Sequence, residues 1–477
     1  MKWSATGMVA LCGWLALGQP AEAQTLSTCS DARLGEDARC GTMAVREDRS
    51  RPDGRMIDLN MVLLPASGAS RAEPLFLLAG GPGQAATDLA GLALGPFAPL
   101  RQTRDIVLVD QRGTGGSNPL DCPSGSAEDP RKSFGALFRP AELAACAKRL
   151  SAHADLTLYR TDEVVADLDE VREALGYERV VLWGGSGGTR TALVWARSFP
   201  DRVAAMVLDG VAPTDFTAPS PYAPGVQRSW ERVVEDCAAQ PACAAAFPDL
   251  PGDLDRVLAR FDAGPVSTTV AVDENRAVPV TMTRGDFGYA LRGLLYGART
   301  VAYAPALVHG AAQSGDLSTF ARLLWQRDVA VNQGVQVGVH FAIFCAEDVP
   351  FLTPAADAAA AGTFVGTYLL DQYRAACDAW PSEPVAAAYR EPVRVDTPTL
   401  LFSGYYDPTT PAEQADHVAR SLPNSRHIVV RDQAHGAEFG CGRPAVLAFL
   451  TRGSLEGLPE VCGEVGPVTF ETEPPAS

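Results

Sequence analysis

Residues 184–188 read GGSGG, a G-x-S-x-G pattern that directly follows the apolar run VVLW and opens a predicted helix. A serine flanked by glycines, where a strand turns into a helix, has the strained and exposed geometry of a nucleophile elbow. An ordinary glycine turn is the alternative interpretation. We predict Ser186 as a nucleophile, which needs a base because a serine hydroxyl is a poor nucleophile at neutral pH.

One of the six histidines has the surroundings of a general base. His435 lies in the polar loop RDQAHGAEFG, just past a predicted strand, where an imidazole is accessible for proton transfer. His427 lies within the strand SRHIVV, where its side chain is expected to pack. The others lie in or beside helical or cap patterns: His153, His309, His340 and His417. We therefore predict His435 as the base.

The acid that orients such a base lies between the serine and the histidine when the chain order is that of an α/β-hydrolase. Asp407 meets this requirement, because LLFSGYYDPTTP places it just beyond a predicted strand. Asp432 is a rival on the same loop as His435, and Asp416 falls within a predicted helix. We predict Asp407 as the acid.

The glycine loop in PLFLLAGGPGQAA has two interpretations. It resembles a dinucleotide-binding turn, and the following apolar run DIVLVD ends in Asp110, where a ribose-binding acid would lie. However, Pro82 removes an N–H group that a pyrophosphate would use. Together with the serine, aspartate and histidine, the loop is better interpreted as half of an oxyanion hole. We expect the N–H groups of Gly81 and Gly187 to form that hole, and we predict no metal or organic cofactor.

Strand and helix patterns alternate in the first half of the chain. PLFLLAG, DIVLVD, RVVLWGGS and RVAAMVLDGV are strand candidates, separated by the helical patterns TDEVVADLDEVREALG and GGTRTALVWARSFP. This alternation predicts an α/β fold with a mostly parallel sheet and helices on both faces. The alternation stops from about residue 213 to 396, where long helical candidates occur, and resumes with TPTLLFSG.

These observations predict an α/β-hydrolase fold with a large, mainly helical cap insertion. We place the first part of the core at residues 24–212 and the cap at 213–396. The second part of the core is placed at 397–477 and includes a C-terminal disulfide segment.

Five motifs together resemble the proline iminopeptidase and tripeptidyl aminopeptidase family of α/β-hydrolase serine peptidases. They are GGPG, DQRGTGGS, GGSGGTR, GYYDPTTP and AHG, and the resemblance covers about residues 40 to 465. The resemblance implies that Ser186 is the nucleophile, Asp407 the acid and His435 the base. The chain is more similar to the secreted tripeptidyl aminopeptidase branch than to the small cytosolic proline iminopeptidases. The shared features are its size, the split cap, and the signal peptide and paired cysteines described below.

The resemblance also implies a use for the segment AIFCAEDVP. Glu347 and Asp348 are the candidates for holding the protonated α-amine of a substrate at the rim of the cleft. A solvated turn beside a disulfide is the alternative. The chain departs from the family at Ala79, where a histidine is common, and at Gly187, where a tyrosine is common.

The N-terminus has the features of a secretory signal peptide. Lys2 precedes the apolar run from Met8 to Leu17, and Ala21-Glu22-Ala23 provides a cleavage site with small residues. We predict removal of residues 1–23, because the apolar run is too short for the alternative, a membrane anchor. The expected location is therefore secreted or periplasmic, without a stable membrane anchor.

Ten of the eleven cysteines remain after the signal peptide, an even number that predicts disulfides in an exported chain. Short loops close at low entropic cost, so we expect each cysteine to pair with its nearest neighbour. The expected pairs are Cys29–Cys40, Cys122–Cys146, Cys237–Cys243, Cys345–Cys377 and Cys441–Cys462. No C-x-x-C spacing points to structural zinc.

The net charge of −17 argues against nucleic acid and anionic membranes as partners. A peptide or a small ester is the expected substrate. The predicted function is an exported serine aminopeptidase, and an exported carboxylesterase with the same triad is the alternative. Two further rivals, a binding protein on a hydrolase scaffold and a cofactor-dependent oxidoreductase, are disfavoured by the complete triad.

Overall fold

A computed structural model of the protein describes residues 26–68, 72–437 and 440–475. The predicted signal peptide lies outside these residues. The described residues form eleven strands: β1 Ser27–Thr28, β2 Arg39–Arg46, β3 Met56–Leu64, β4 Leu75–Leu78, β5 Ile106–Val109, β6 Val180–Gly185, β7 Val203–Asp209, β8 Val266–Asp273, β9 Arg276–Met282, β10 Thr399–Gly404 and β11 Ser425–Val430.

Nine strands form one sheet in the order β1-β2-β3-β5-β4-β6-β7-β10-β11. The pairs from β1 to β5 are antiparallel, and the five pairs from β5 to β11 are parallel. This is the predicted mostly parallel α/β sheet. Every residue of β4 (LFLL) and β5 (IVLV) is buried, as expected for parallel strands that are covered on both faces.

Helices cover both faces of the sheet. The described helices are α1 Ala90–Leu94, α2 Pro140–Leu150, α3 Thr161–Ala174, α4 Gly187–Ser198, α5 Tyr222–Ala239, α6 Pro241–Ala246, α7 Leu250–Ala259, α8 Arg284–Leu295, α9 Ala298–Val301, α10 Ala304–Ser314, α11 Ser318–Gly334, α12 Val337–Ile343, α13 Pro354–Ala361, α14 Tyr368–Ala379, α15 Ala412–Ala419 and α16 Arg443–Arg452. Alternate side chains of the central strands enter two separate apolar cores, one shared with α3 and α4 and the other with α16.

Residues 210–398, here called the inserted segment, connect β7 to β10. They form helices α5 to α14 and the antiparallel hairpin of β8 and β9, which makes a two-stranded sheet of its own. Most of a third apolar core comes from this segment, including Trp230, Phe287 and Phe320, and residues outside the segment such as Tyr406 and Phe470 complete it. The predicted cap boundaries at 213 and 396 fall in the loops after β7 and before β10. The helices were expected, whereas the hairpin was not.

Five disulfides are present in the described residues, and each joins near neighbours in the sequence. They link Cys29 to Cys40, Cys122 to Cys146, Cys237 to Cys243, Cys345 to Cys377, and Cys441 to Cys462. These are the pairs expected from spacing. Over the described ranges, no single helix is long and apolar enough to cross a membrane; residues 318–334 and 337–351 meet the criterion together but are bent by 86°.

The DQRGTGGS motif after β5 is a structural junction. Oδ1 of Asp110 accepts hydrogen bonds from the backbone and the hydroxyl of Thr87, just beyond the glycine loop. Its other oxygen accepts from Asn60 and from the Gly116 amide. The motif therefore fastens the segment that follows the glycine loop to the centre of the sheet.

Arg112, in the same motif, is completely buried beside Asp167 of α3. Its Nε and Nη2 donate to the Asp167 carboxylate at 2.7 and 2.8 Å, and it also donates to the carbonyl oxygens of Arg46, Glu47 and Leu158. One guanidinium thus links β2, α3 and the loop before α3 to the motif.

We expect Arg112→Met to lower the free energy of unfolding by about 3 kcal/mol, because the substitution leaves Asp167 with reduced compensation and three buried carbonyls without a donor. Urea denaturation measures the effect. The control is Arg33→Met, which removes an ion pair whose arginine is 89% exposed and should leave the denaturation midpoint unchanged. Equal midpoints for Arg112→Met and the wild type would contradict the assignment.

Candidate active site

Ser186 lies at the sharp turn between β6 and α4. Its φ is 53° and its ψ −122°, a conformation that is strained for a residue with a side chain. The backbone N–H of Ser186 donates to the carbonyl of Asp209 at the end of β7, at 2.8 Å. A strained serine at a strand-to-helix turn is the geometry of a nucleophile elbow.

Close backbone contacts explain the glycines on both sides of this turn. A Cβ atom at Gly80 would lie 2.9 Å from the carbonyl oxygen of Gly185 and 3.0 Å from Cβ of Ser186. A Cβ atom at Gly188 would lie 2.1 Å from the carbonyl oxygen of Leu78. The glycine loop after β4 therefore lies directly against the elbow, at a distance that side chains would prevent.

The amides of Gly81 and Gly187 lie in this contact region, and both residues line the same cavity as Ser186. Within the described ranges, neither N–H group donates to a protein acceptor. Gly187 is the first residue of α4, where N–H groups have no partner within the helix. Two unpaired N–H groups beside a strained serine are the arrangement that an oxyanion hole requires.

The imidazole of His435 is held on two sides. Its Nδ1 lies 2.8 Å from Oδ2 of Asp407, and its ring packs at a tilt of 34° against Tyr296 of the inserted segment, with centroids 4.4 Å apart. The backbone N–H of His435 donates to the carbonyl of Tyr296 at 3.0 Å. When Nδ1 carries a proton and donates it in a hydrogen bond to Asp407, Nε2 is free to accept a second proton. His435 lines the same cavity as Ser186.

Asp407 is buried and remains ionised. It accepts hydrogen bonds from the N–H groups of Thr409 and Thr410, at 2.7 and 2.9 Å, and from the Thr410 hydroxyl at 2.7 Å. Burial raises the pKa of Asp407, but the charge and hydrogen bond of His435 and the two amides outweigh burial and lower the pKa to about 2. The rivals have other partners: Asp416 contacts His427, and Asp432 contacts Gln433.

A cavity of about 670 Å³ lies between the elbow and the inserted segment. The sheet side contributes Ser186, His435 and the glycine loop. The inserted segment contributes aliphatic and aromatic side chains, two arginines and two acids. The aromatic and charged residues among them are Phe216, Tyr222, Tyr289, Arg292, Tyr296, Arg327, Asp328, His340, Phe344, Asp348 and Tyr373. The candidate reacting groups therefore face a partly enclosed space that is bounded on one side by the inserted segment.

His340 is a site residue that the sequence analysis placed among the uninformative histidines. Its Nδ1 lies 3.3 Å from the carbonyl oxygen of Pro82 in the glycine loop, and its Nε2 lies 2.9 Å from the hydroxyl of Tyr373. Burial lowers the pKa of His340 to about 4, so the ring is neutral at physiological pH. His340 is best described as a neutral link between the inserted segment and the glycine loop.

Glu347 and Asp348 are not exposed at a cleft rim, which corrects the expectation from the sequence. Both carboxylates are buried beside Arg190 of α4, which donates to Asp348 at 2.8 and 3.0 Å and to Glu347 at 3.2 Å. Glu347 also accepts from the Thr161 backbone and from Tyr389. Both acids are thus paired inside the protein, but Asp348 still lines the cavity that contains Ser186, whereas Glu347 does not. Their role in binding a substrate amine stays a prediction.

Sequence comparisons agree with this geometry. Residues 73–246 match a family model described as "alpha/beta hydrolase fold", and residues 362–462 match one described as "TAP-like protein". The chain has an α/β-hydrolase fold. The second match agrees with the resemblance to proline iminopeptidases and tripeptidyl aminopeptidases that the motifs indicated.

Curated relatives of this α/β-hydrolase include serine peptidases. The chain is 26% identical to serine protease Hip1 of Mycobacterium tuberculosis, over 86% of this chain and 84% of the relative. It is 30% identical to proline iminopeptidase of Neisseria gonorrhoeae, over 32% of this chain and 37% of that enzyme. The protein is therefore a hydrolase with serine protease and peptidase homologues.

Two solved structures align with this α/β-hydrolase at low identity. Proline iminopeptidase of Mycobacterium smegmatis is 15% identical with a TM-score of 0.41, over 87% of this chain and 98% of that chain. An esterase of Exiguobacterium antarcticum is 16% identical with a TM-score of 0.35, over 84% and 96% of the two chains.

The described part of the hydrolase contains no group of three or more His, Cys, Asp or Glu side chains arranged to hold a metal ion.

A second buried carboxyl group lies next to His435. Asp209, at the end of β7, accepts a hydrogen bond from the Ala437 amide at 3.0 Å and so fixes the loop that carries His435. Burial raises the pKa of Asp209 to about 7, and the Ala437 amide and His435 oppose this effect only in part.

The raised pKa of Asp209 makes stability depend on pH. Between pH 4 and 7 the folded protein retains a proton that the unfolded chain releases, so stability falls as pH rises through this window. We expect Asp209→Asn, which keeps the oxygen that accepts from Ala437, to be more stable than the wild type at pH 8 by up to about 4 kcal/mol. At pH 4 the two proteins should be equally stable.

Urea denaturation at pH 4, 6 and 8 measures this difference. The control is Asp201→Asn, an exposed position just before β7, which should show the pH profile of the wild type. If Asp209→Asn and the wild type were equally stable at pH 8, Asp209 would ionise in the folded protein without cost, contrary to its surroundings.

Proposed function

We propose that this α/β-hydrolase is a serine aminopeptidase that releases single residues or short peptides from peptide N-termini. One observation carries the proposal. Ser186 lies in a strained elbow beside two unpaired amides, in a cavity that it shares with a histidine held by a buried aspartate. Nucleophile, base, orienting acid and oxyanion donors are the complete set that acyl transfer requires.

In the proposed reaction Ser186 attacks the scissile carbonyl while Nε2 of His435 accepts its proton. His435 then returns the proton to the leaving amine. Asp407 holds the imidazole in the required tautomer and stabilises its cation, and the amides of Gly81 and Gly187 bind the oxyanion. Water releases the acyl group by the same roles in reverse.

The partly covered cavity supports cleavage at chain ends. Its volume of about 670 Å³ lies in the range of sites that bury small ligands, and the inserted segment covers it. A short peptide or the end of a longer one fits such a space, whereas a folded protein does not. The relatives named serine protease and proline iminopeptidase support peptides as the substrate class.

A carboxylesterase with the same triad is the second candidate. The observation that favours it is the pairing of Glu347 and Asp348 with Arg190, which compensates the charge of the two acids that were expected to hold a substrate amine.

The five disulfides are typical of proteins that fold outside the reducing cytoplasm. Together with the N-terminal signal predicted from the sequence, they support our proposal that the enzyme is exported.

Steady-state hydrolysis of a matched substrate panel tests the proposal. The panel contains free and N-acetylated mono-, di- and tripeptide anilides and a p-nitrophenyl ester. We expect turnover of free anilides, loss of turnover on acetylation, and a decrease in kcat of at least about a thousandfold in Ser186→Ala. The control is Ser198→Ala, an exposed position at the end of the same helix, which should have wild-type activity. Turnover of the ester alone would establish the esterase and overturn the aminopeptidase.

The two candidate acids can be separated by matched substitutions. We expect Asp407→Asn to lower kcat by about ten-thousandfold, because the amide stabilises the wrong imidazole tautomer and no longer compensates its charge. Asp432→Asn, on the loop of His435, should retain at least half of the wild-type kcat. The measurement is kcat on whichever panel substrate is turned over fastest, and the reverse ranking of the two variants would make Asp432 the acid.

A further inference from the structure

Two arginines of the inserted segment line the catalytic cavity without a carboxylate partner. Arg292 is on α8 and Arg327 on α11, and the cavity wall that contains them also contains Ser186 and His435. Within residues 26–68, 72–437 and 440–475, neither guanidinium has an acidic oxygen within 4 Å. They are therefore cations in the site that no described acid neutralises.

Arg292 is only 5% exposed, and several of its N–H groups have no hydrogen-bond partner among the described residues. Its Nη2 donates to the Thr409 hydroxyl at 2.8 Å, and its guanidinium carbon lies 4.6 Å from the ring centroid of Tyr222. Its Nε is buried and has no hydrogen-bond partner among the described residues. An arginine has five N–H donors, so most of the hydrogen-bonding capacity of Arg292 is unused.

Arg327 lies next to it. Its guanidinium carbon is 4.9 Å from the ring centroid of Tyr296 and 5.4 Å from that of Tyr289, and its Nε also lacks a partner in the described chain. A Cβ atom added at Gly293, the neighbour of Arg292, would lie 3.8 Å from Nη1 of Arg327. Both arginines contact Tyr296, the ring that packs against His435. The two cations are thus one aromatic ring away from the catalytic imidazole.

The other charged groups facing this cavity do not offset the pair. Arg190 is neutralised by Glu347 and Asp348, and Asp209 and Asp328 both have raised pKa values, chiefly because of burial. The remaining charged lining residues are the cations Lys132, Arg139 and Arg149 and the acid Glu142. In a chain with a net charge of −17, the catalytic cavity is thus locally rich in cations.

Two neighbouring buried cations repel each other and lose hydration, and contacts with tyrosine faces recover part of this cost. An anion between the two arginines would offset the remaining cost of repulsion and lost hydration. Arginine binds carboxylates through paired N–H donors. We propose that Arg292 and Arg327 bind a carboxylate of the substrate. This inference rests on the proposed function, because it makes the enzyme selective for short acyl substrates that carry a negative charge close to the scissile bond.

Such a carboxylate has two sources in a peptide: the free C-terminus of a short chain, or the side chain of Asp or Glu. Binding to the inactive variant Ser186→Ala distinguishes them by calorimetry, without any need for turnover. One arm compares Ala-Ala-Ala as the free acid and as the C-terminal amide. The second arm compares the amides of Ala-Glu-Ala and Ala-Gln-Ala. We expect the carboxylate to increase affinity about tenfold or more in at least one arm.

Arginine variants test whether the preference for a charged ligand depends on Arg292 and Arg327. Adding Arg327→Gln to Ser186→Ala should reduce the preference for the charged ligand to less than threefold, and Arg292→Gln in the same background should act in the same direction. The control is Arg322→Gln, which lies on α11 outside the cavity and should retain the full preference. If an arginine variant does not fold, the comparison of acid and amide in Ser186→Ala alone still decides whether a carboxylate is recognised.

The inference is overturned if charged and neutral ligands bind Ser186→Ala equally in both arms, or if Arg327→Gln weakens both ligands by the same factor. Failure of the proposed function gives a different result. If the wild type cuts no peptide anilide while Ser186→Ala still prefers the carboxylate through the two arginines, the site recognises anions but the aminopeptidase assignment is wrong.

Discussion

The glycine loop and the nucleophile elbow lie in direct backbone contact, and the positions of the reacting groups depend on that contact. A side chain at Gly80 or Gly188 would force the two segments apart, and the amide of Gly81 would then move away from Ser186. The opposite side of the loop is equally crowded, since a Cβ atom at Gly83 would lie 2.7 Å from the carbonyl oxygen of Gln336. The loop is held between the sheet and the inserted segment, so both parts of the molecule define the position of the proposed oxyanion site.

Charge is distributed unevenly around this contact. Arg190, on the helix that starts at the elbow, holds Glu347 and Asp348 of the inserted segment in a buried cluster. Ion pairs of this kind contribute little net stability but are costly to break, so they fix the relative position of the two elements. In this cluster Arg190 compensates the two acids, and neither acid forms an ion pair with Arg292 or Arg327 among the described residues. The same buried cluster therefore attaches the inserted segment to the elbow helix and leaves the cavity arginines without these two acids as partners.

Much of this arrangement could be predicted from the sequence. Carboxyl ends of parallel strands meet at one edge of a sheet, so Ser186, Asp407 and His435, each just past a predicted strand, were expected to converge. Glu347 and Asp348 were misplaced because their partner Arg190 lies more than 150 residues away in the chain. The hairpin of β8 and β9 was missed although VSTTVAV alternates with period two, since the surrounding helical patterns dominated the interpretation. His340 gave no signal, because only the folded chain brings it to Pro82.

The connectivity of the disulfides has a consequence for biosynthesis. Counted from Cys29, the first cysteine bonds to the second, the third to the fourth, and so on to the tenth. No bridge therefore encloses another. A chain that is oxidised from its N-terminus as it emerges into an oxidising compartment meets the correct partner first at every step. Such a protein has little need for a catalyst that reshuffles wrongly joined cysteines. Among the described residues no bridge ties the inserted segment to the sheet, so noncovalent contacts alone hold these two parts together.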